Sequence, residues 1–171
     1  MRIAIIGYSG SGKSTLAGLY GKAFGLPVLH LDTTHWLPGW QERPKEVRSA
    51  IVRRFLDENE NWVIDGTYSG VFYEERMEKA DRILFMNFNR FTCLYRAWKR
   101  KRMYMGKSRP DMTEGCNEKL DMEFAMWILR DSRTKRALDR YRGVKEKYPE
   151  KFIEIRSQRE LNAYIKKENL N

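Results

Sequence analysis

The octapeptide Gly7-Tyr8-Ser9-Gly10-Ser11-Gly12-Lys13-Ser14 limits what this chain can fold into more than any other segment. It meets the spacing G-x-x-x-x-G-K-[ST], with Gly7, Gly12, Lys13 and Ser14 at the required places. The apolar run Ile3–Ile6 ahead of it suits a buried parallel strand, and Ser14–Tyr20 behind it can open a helix. Strand, glycine-rich loop and helix N-terminus together form an anion cradle, because loop and first-turn N–H groups point at the ligand. The expected cradle residues for ATP are therefore Gly7, Ser9, Gly10, Ser11, Gly12, Lys13, Ser14 and Thr15. Lys13 is expected to reach the β- and γ-phosphates, and the Ser14 hydroxyl to ligate Mg²⁺. Gly10 and Gly12, with Asp32 about twenty residues on, also start a dinucleotide-binding pattern. Its third glycine is missing, since Thr15 stands there, and a Lys-Ser pair suits a triphosphate with Mg²⁺ better.

Further apolar runs alternate with segments of helical period. Val28–Leu31, Trp62–Ile64, Ile83–Phe88 and Phe152–Ile155 read as strands two to five. Pro44–Glu58 carries Val47, Ala50, Ile51 and Phe55 on one face and reads as a helix, as do Leu120–Tyr148, with an interruption near Asp131–Thr134, and Gln158–Glu168. Strand–helix alternation predicts an α/β fold with a parallel sheet covered on both faces. At 171 residues, without repeat or linker, the chain reads as a single domain spanning 1–171.

Ligands of such sheets bind beyond the carboxyl ends of the strands. Two acids are expected at that rim. Asp32 follows strand two and can accept the proton of a substrate hydroxyl, or cap the next turn. Asp65 follows strand three and is the best candidate to hold Mg²⁺ beside Ser14, against the alternative of a plain Asp-Gly turn. His35 and Trp36 are placed to line an acceptor pocket, with packing roles for Trp36 and Trp40 as the alternative.

The chain carries a net charge of +10, concentrated late. Arg90, Arg96, Lys99, Arg100, Lys101, Arg102, Lys107 and Arg109 run without an intervening acid, and a second basic stretch covers residues 130–147. Such a field attracts phosphorylated metabolites, nucleotides and nucleic acids. Guanidinium groups stabilise the charge that spreads during phosphoryl transfer. Together with Lys13 and Asp32, Arg109 and Arg133 are the expected catalytic residues. Residues 103–118, with Gly106, Pro110 and Gly115, break the helical period and read as a mobile excursion, a lid, or else an ordinary surface loop.

Composition sets the outer bounds. With two cysteines, Cys93 and Cys116, and two histidines, a structural zinc site is not expected, and a reducing cytoplasm is the simplest compartment. No apolar run approaches the ~20 residues of a membrane span. A small-molecule acceptor is the expected partner, and nucleic acid is not favoured because no DNA-binding motif is present.

Gly7–Thr15, His30–Asp32, Trp62–Tyr68 and Ser108–Cys116 resemble the corresponding segments of the bacterial DNA topology modulation proteins, a likeness that extends over nearly the whole chain. That family is similar to adenylate-kinase-like P-loop proteins. The resemblance implies a five-stranded parallel sheet of order 2-3-1-4-5, a phosphate loop, an acceptor region after strand two and a lid after strand four. It also implies a nucleotide-binding or DNA-associated role. Asp65-Gly66 resembles the start of the adenylate kinase Asp-Gly-Phe-Pro-Arg motif. Thr67-Tyr68-Ser69 follows here, so the arginine that grips an acceptor phosphate is absent. Arg76 is the candidate replacement. Asp32 resembles the strand-two acid of kinases that phosphorylate a hydroxyl.

Overall fold

The computed structural model describes residues 1–170. Five parallel strands form the main sheet: β1 (Arg2–Gly7), β2 (Val28–His30), β3 (Trp62–Asp65), β4 (Arg82–Met86) and β5 (Phe152–Ile155). Their order is β2-β3-β1-β4-β5, the expected 2-3-1-4-5. In β1, Ile3, Ala4, Ile5 and Ile6 are all fully buried, which is why the run carries no polar alternation. Each branched side chain buried this way stabilises the fold by roughly 1.5–3 kcal/mol.

Eight helices cover the sheet: α1 (Lys13–Phe24), α2 (Leu31–His35), α3 (Lys45–Glu58), α4 (Tyr73–Lys79), α5 (Arg90–Met103), α6 (Met122–Leu129), α7 (Lys135–Lys147) and α8 (Gln158–Lys167). The helical stretch expected over 120–148 is interrupted where the sequence placed the break. A 3₁₀ turn at Asp131–Arg133 separates α6 from α7, and Thr134 caps α7 by accepting from the Ala137 N–H. The Ser157 hydroxyl caps α8 in the same way. Strand two is shorter than expected. It ends at His30, and the chain enters the short helix α2, where Thr33 and Thr34 bond back to the carbonyls of His30 (2.7 Å) and Leu31 (2.8 Å). Strand four also ends early, at Met86. The Asn87 N–H donates to Ile155 O at 2.8 Å, and Asn89 caps α5.

Register aligns the rim. Ile5 and His30 both stand opposite Asp65, and Gly7 stands opposite Met86. After α2 the chain forms a two-stranded antiparallel hairpin, Trp36–Leu37 against Gln41–Glu42. The excursion between α5 and α6 lies against this hairpin.

Candidate active site

Residues 7–14 turn from β1 into α1 beside β4 and α5. Gly10 has φ 76°, and a Cβ there would collide with the backbone carbonyl of Cys93, so α5 packs directly on the loop. Helix α1 starts at Lys13 with no side-chain cap, which leaves its first N–H groups free for an anion. Ser9, Gly10, Gly12, Lys13, Ser14 and Thr15 line one large cavity, and Gly7 borders it. Ser11 is fully buried, and its carbonyl accepts from Arg96 Nη1 at 2.7 Å.

The Lys13 ammonium donates to Tyr8 O at 2.8 Å. Burial holds its pKa below the ordinary lysine value, against the pull of Asp65 and Asp32. The Ser14 hydroxyl donates to Asp65 Oδ2 at 2.8 Å, and His30 Nδ1 meets Asp65 Oδ1 at 2.5 Å. Burial is the largest influence and opposes charge on His30, but the bond to Asp65 and the charges of Asp65, Asp111 and Asp32 together outweigh it and the ring titrates above its ordinary value. The neighbouring Ser14 and Asp65 oxygens are a fitting donor pair for Mg²⁺, which takes one or two protein ligands and fills its shell with water and phosphate oxygen. Among the described residues no cluster of three or more His, Cys, Asp or Glu side chains offers a closed metal cage.

Asp32 lies across the same cavity. Its Oδ1 accepts from Tyr68 OH at 2.7 Å. Burial, then the Asp32 charge, pushes the Tyr68 phenol well above its usual range, so it stays a donor. The cavity has a volume of about 1440 Å³. Single-ligand pockets run to roughly 300–1,000 Å³, so this one has room for two molecules side by side.

The arginines sort differently from the sequence expectation. Arg109 lines the cavity, but its guanidinium pairs with Asp111 (2.8 Å) and Glu118 (2.7 Å). Glu118 also binds Arg100 at 2.6 Å. Arg133 does not line the cavity. It lies over the Tyr8 ring at 3.6 Å and donates to Phe88 O at 2.8 Å, which supports the loop from behind. Arg76 is fully buried and donates to the carbonyls of Val71, Gly66 and Tyr68. It shapes the turn after β3 and is not free to grip an acceptor phosphate. The arginine that hydrogen-bonds the backbone of the phosphate loop is Arg96, whose spacing with Arg100 puts both on one face of α5. That periodicity was legible in the sequence.

Residues 103–118 run to the hairpin rather than over the loop. Thr113 Oγ1 donates to Trp36 O (2.7 Å) and the Gly39 N–H to Gly115 O (3.1 Å). Trp40 Nε1 donates to Asn117 O at 3.0 Å.

A five-stranded parallel sheet of this order with a phosphate loop after β1 defines a P-loop kinase-like fold. No family model matches the sequence, and no curated protein matches it. Among solved structures the chain is similar to a shikimate kinase from Acinetobacter baumannii in complex with shikimate. The TM-score is 0.59 at 16% identity, over 99% of this chain and 91% of that one. It is also similar to an uncharacterized protein from Eubacterium ventriosum, with a TM-score of 0.47 and 16% identity over 91% of this chain and 88% of that one. Among the described residues no helix is long and apolar enough to cross a membrane.

Proposed function

We propose that this chain is an ATP- and Mg²⁺-dependent phosphotransferase acting on the hydroxyl of a small molecule. We read it as one domain over 1–171 that works in the cytoplasm, in the branch that the bacterial DNA topology modulation proteins represent. The observation that carries this reading is that Lys13, Ser14, Asp32 and Asp65 line one cavity, with the Ser14 hydroxyl bonded to Asp65.

Backbone N–H groups from Gly7 to Thr15 hold the phosphates, and Lys13 neutralises charge on the transferring group. Ser14 and Asp65 would hold Mg²⁺, which would supply charge neutralisation to the phosphate oxygens. Asp32, oriented by Tyr68, accepts the acceptor's hydroxyl proton. The acceptor oxygen bonds to the γ-phosphorus as the bond to the β,γ-bridging oxygen breaks, and ADP leaves with that electron pair. Arg96, on the face of α5 that lines the cavity, is the cation best positioned to stabilise spreading charge, and Arg100 and Arg109 join it if a ligand displaces Glu118 and Asp111.

The test is ADP release with and without a panel of nucleosides, nucleotides, sugars and hydroxy acids, shikimate included, alongside thermal shifts. Saturation at 100 times the dissociation constant adds about 2.7 kcal/mol, a rise of several degrees. Lys13→Ala should remove most of that rise. Asp32→Asn should keep ATP binding and lose transfer, and Asp65→Asn should weaken the Mg²⁺ dependence. No shift with millimolar ATP·Mg²⁺ overturns the reading.

A second reading, a nucleic-acid-associated nucleotide-binding protein, rests on the outer face of α5. Tyr95 and Trp98 stack there with centroids 6.0 Å apart, and Arg102 lies over Trp98. Duplex and single-strand binding that weakens steeply with salt would favour it.

A further inference from the structure

The phosphate half of the cavity is made of backbone and charge. The half beyond Asp32 is made of rings. His35, Trp36, Trp40 and Tyr68 all line it. Their centroids are linked in a continuous wall, Tyr68 to His35 at 4.7 Å, His35 to Trp36 at 4.6 Å and Trp36 to Trp40 at 5.5 Å. The Trp40 indole N–H is committed to Asn117 O, so that side chain offers a ligand only its ring. Trp40 also sits at φ 62°. A bulky aromatic side chain rarely adopts this conformation, and such strain collects where a site over-determines the backbone. The excursion holds it there through Thr113, Gly115 and Asn117.

The polar groups on this side are few. Asp32 has one oxygen bonded to Tyr68 and the other open to a hydroxyl. Arg109 is neutralised by two carboxylates, and Arg76 is buried among backbone carbonyls. Arg48 contacts His35, and its Nε has no partner. That Nε is buried, so only the terminal guanidinium nitrogens of Arg48 can hold a single acceptor atom of a ring. A phosphate monoester calls for a clamp of several free cations, and the other cation at this wall, Lys119, lies over the Trp40 ring and is paired with Asp121 at 3.5 Å.

Resting on the phosphotransferase reading, we propose that the acceptor is a planar ring compound bearing a hydroxyl, of nucleoside type. Sugars, hydroxy acids and nucleoside monophosphates fit less well. The ring stacks on one face of the edge-to-face Trp36–Trp40 pair and meets the other ring edge-on, a terminal guanidinium nitrogen of Arg48 donates to a ring acceptor atom, and the hydroxyl meets the open oxygen of Asp32.

The experiment uses the full chain loaded with a non-hydrolysable ATP analogue and Mg²⁺, whose binding is measured first. Calorimetric titration follows with adenosine, cytidine and thymidine, with the matching monophosphates, and with shikimate and gluconate. At least one nucleoside should bind more tightly than its monophosphate and than either hydroxy acid, and should quench tryptophan fluorescence. Base–aromatic stacking is worth about 1–3 kcal/mol, so Trp40→Leu and Trp36→Leu should each weaken nucleoside binding by roughly five-fold or more. Trp40→Phe should restore most of it. ATP-analogue affinity should not change in any of these variants, which also reports that they fold. Three results overturn the inference while leaving phosphotransfer standing: preference for a non-planar compound or a monophosphate, undiminished nucleoside binding in both leucine variants, or no ring compound bound at millimolar concentration by protein that holds the ATP analogue. Failure to bind the ATP analogue removes the phosphotransferase reading and this inference with it.

Discussion

The phosphate loop and the excursion after α5 are both glycine-bearing turns on the rim of one cavity, yet they are held in opposite ways. The loop is clamped between a fully buried strand and a helix, with its backbone set against the Cys93 carbonyl at Gly10, and the Arg96 and Lys13 side chains bond its carbonyls besides. The excursion is exposed over much of its length, and side chains reaching to the carbonyls of a two-stranded hairpin hold much of it. A backbone-built turn has one geometry and cannot relax. A turn held by side chains can release its partners one bond at a time. The first suits a ligand common to many proteins, and the second suits a surface that has to open for a particular one.

Glycine substitutions test this contrast most sharply. Gly10→Ala puts a Cβ into the Cys93 carbonyl at φ 76°. With α5 unable to retreat, the expected loss is roughly 3 kcal/mol, read as a lower urea midpoint, together with loss of the ATP thermal shift. Gly115→Ala also stands at positive φ, 82°, but its Cβ would meet the Pro38 Cβ at 3.0 Å and the Pro38 Cα at 3.4 Å, a looser fit than at Gly10. About 1–2 kcal/mol is expected there, with faster amide exchange over 36–42 and 108–118 and unchanged ATP affinity. Equal global losses from the two substitutions would erase the distinction.

Thr113→Val should act more mildly. It removes one strong bond, to Trp36 O at 2.7 Å, and a weaker one, to Thr33 O at 3.3 Å. About 1 kcal/mol is expected, confined to the same segments in exchange measurements. In the unsubstituted chain, an ATP analogue with Mg²⁺ should slow exchange across Met103–Cys116 if closing charges draw the excursion inward. Unchanged exchange with bound analogue would make that segment a fixed wall of the acceptor side.

The two histidines should separate the regions by pH, with the smallest effects. Beside the loop, burial resists charge on His30 but Asp65 raises its pKa above 6.5. Its contribution to stability is complete below 6.5 and fades as pH rises through the raised value. On the acceptor side, burial and then Arg48 lower the pKa of His35 below 6.5. Its contribution is complete above 6.5 and fades as pH falls through the lowered value. Urea midpoints measured from about pH 5 to about pH 8 on His30→Asn and His35→Asn should therefore diverge from the parent at opposite ends. Parallel curves would show that neither contact persists in solution.

The phosphate loop, the five strands and the acids at their ends were legible because each depends on residues close in sequence. Seven or eight neighbours make the loop, an apolar run makes a buried strand, and a parallel sheet brings its carboxyl ends to one rim. Asp32, Asp65, Lys13 and Ser14 therefore meet where periodicity and motif spacing put them. The fates of the arginines were not legible. Arg109 is neutralised by Glu118, Arg76 is swallowed by three carbonyls of the turn after β3, and Arg133 is laid on Tyr8 from across the molecule. A long cation bears the same pattern in sequence whether it faces solvent, a carboxylate or a ring. Its role follows from what lies within reach of its guanidinium. The pairing of His30 with Asp65 and the docking of the excursion on Trp36 and Trp40 are of the same kind. They join residues 35 to 77 positions apart, which only the packed chain brings into contact.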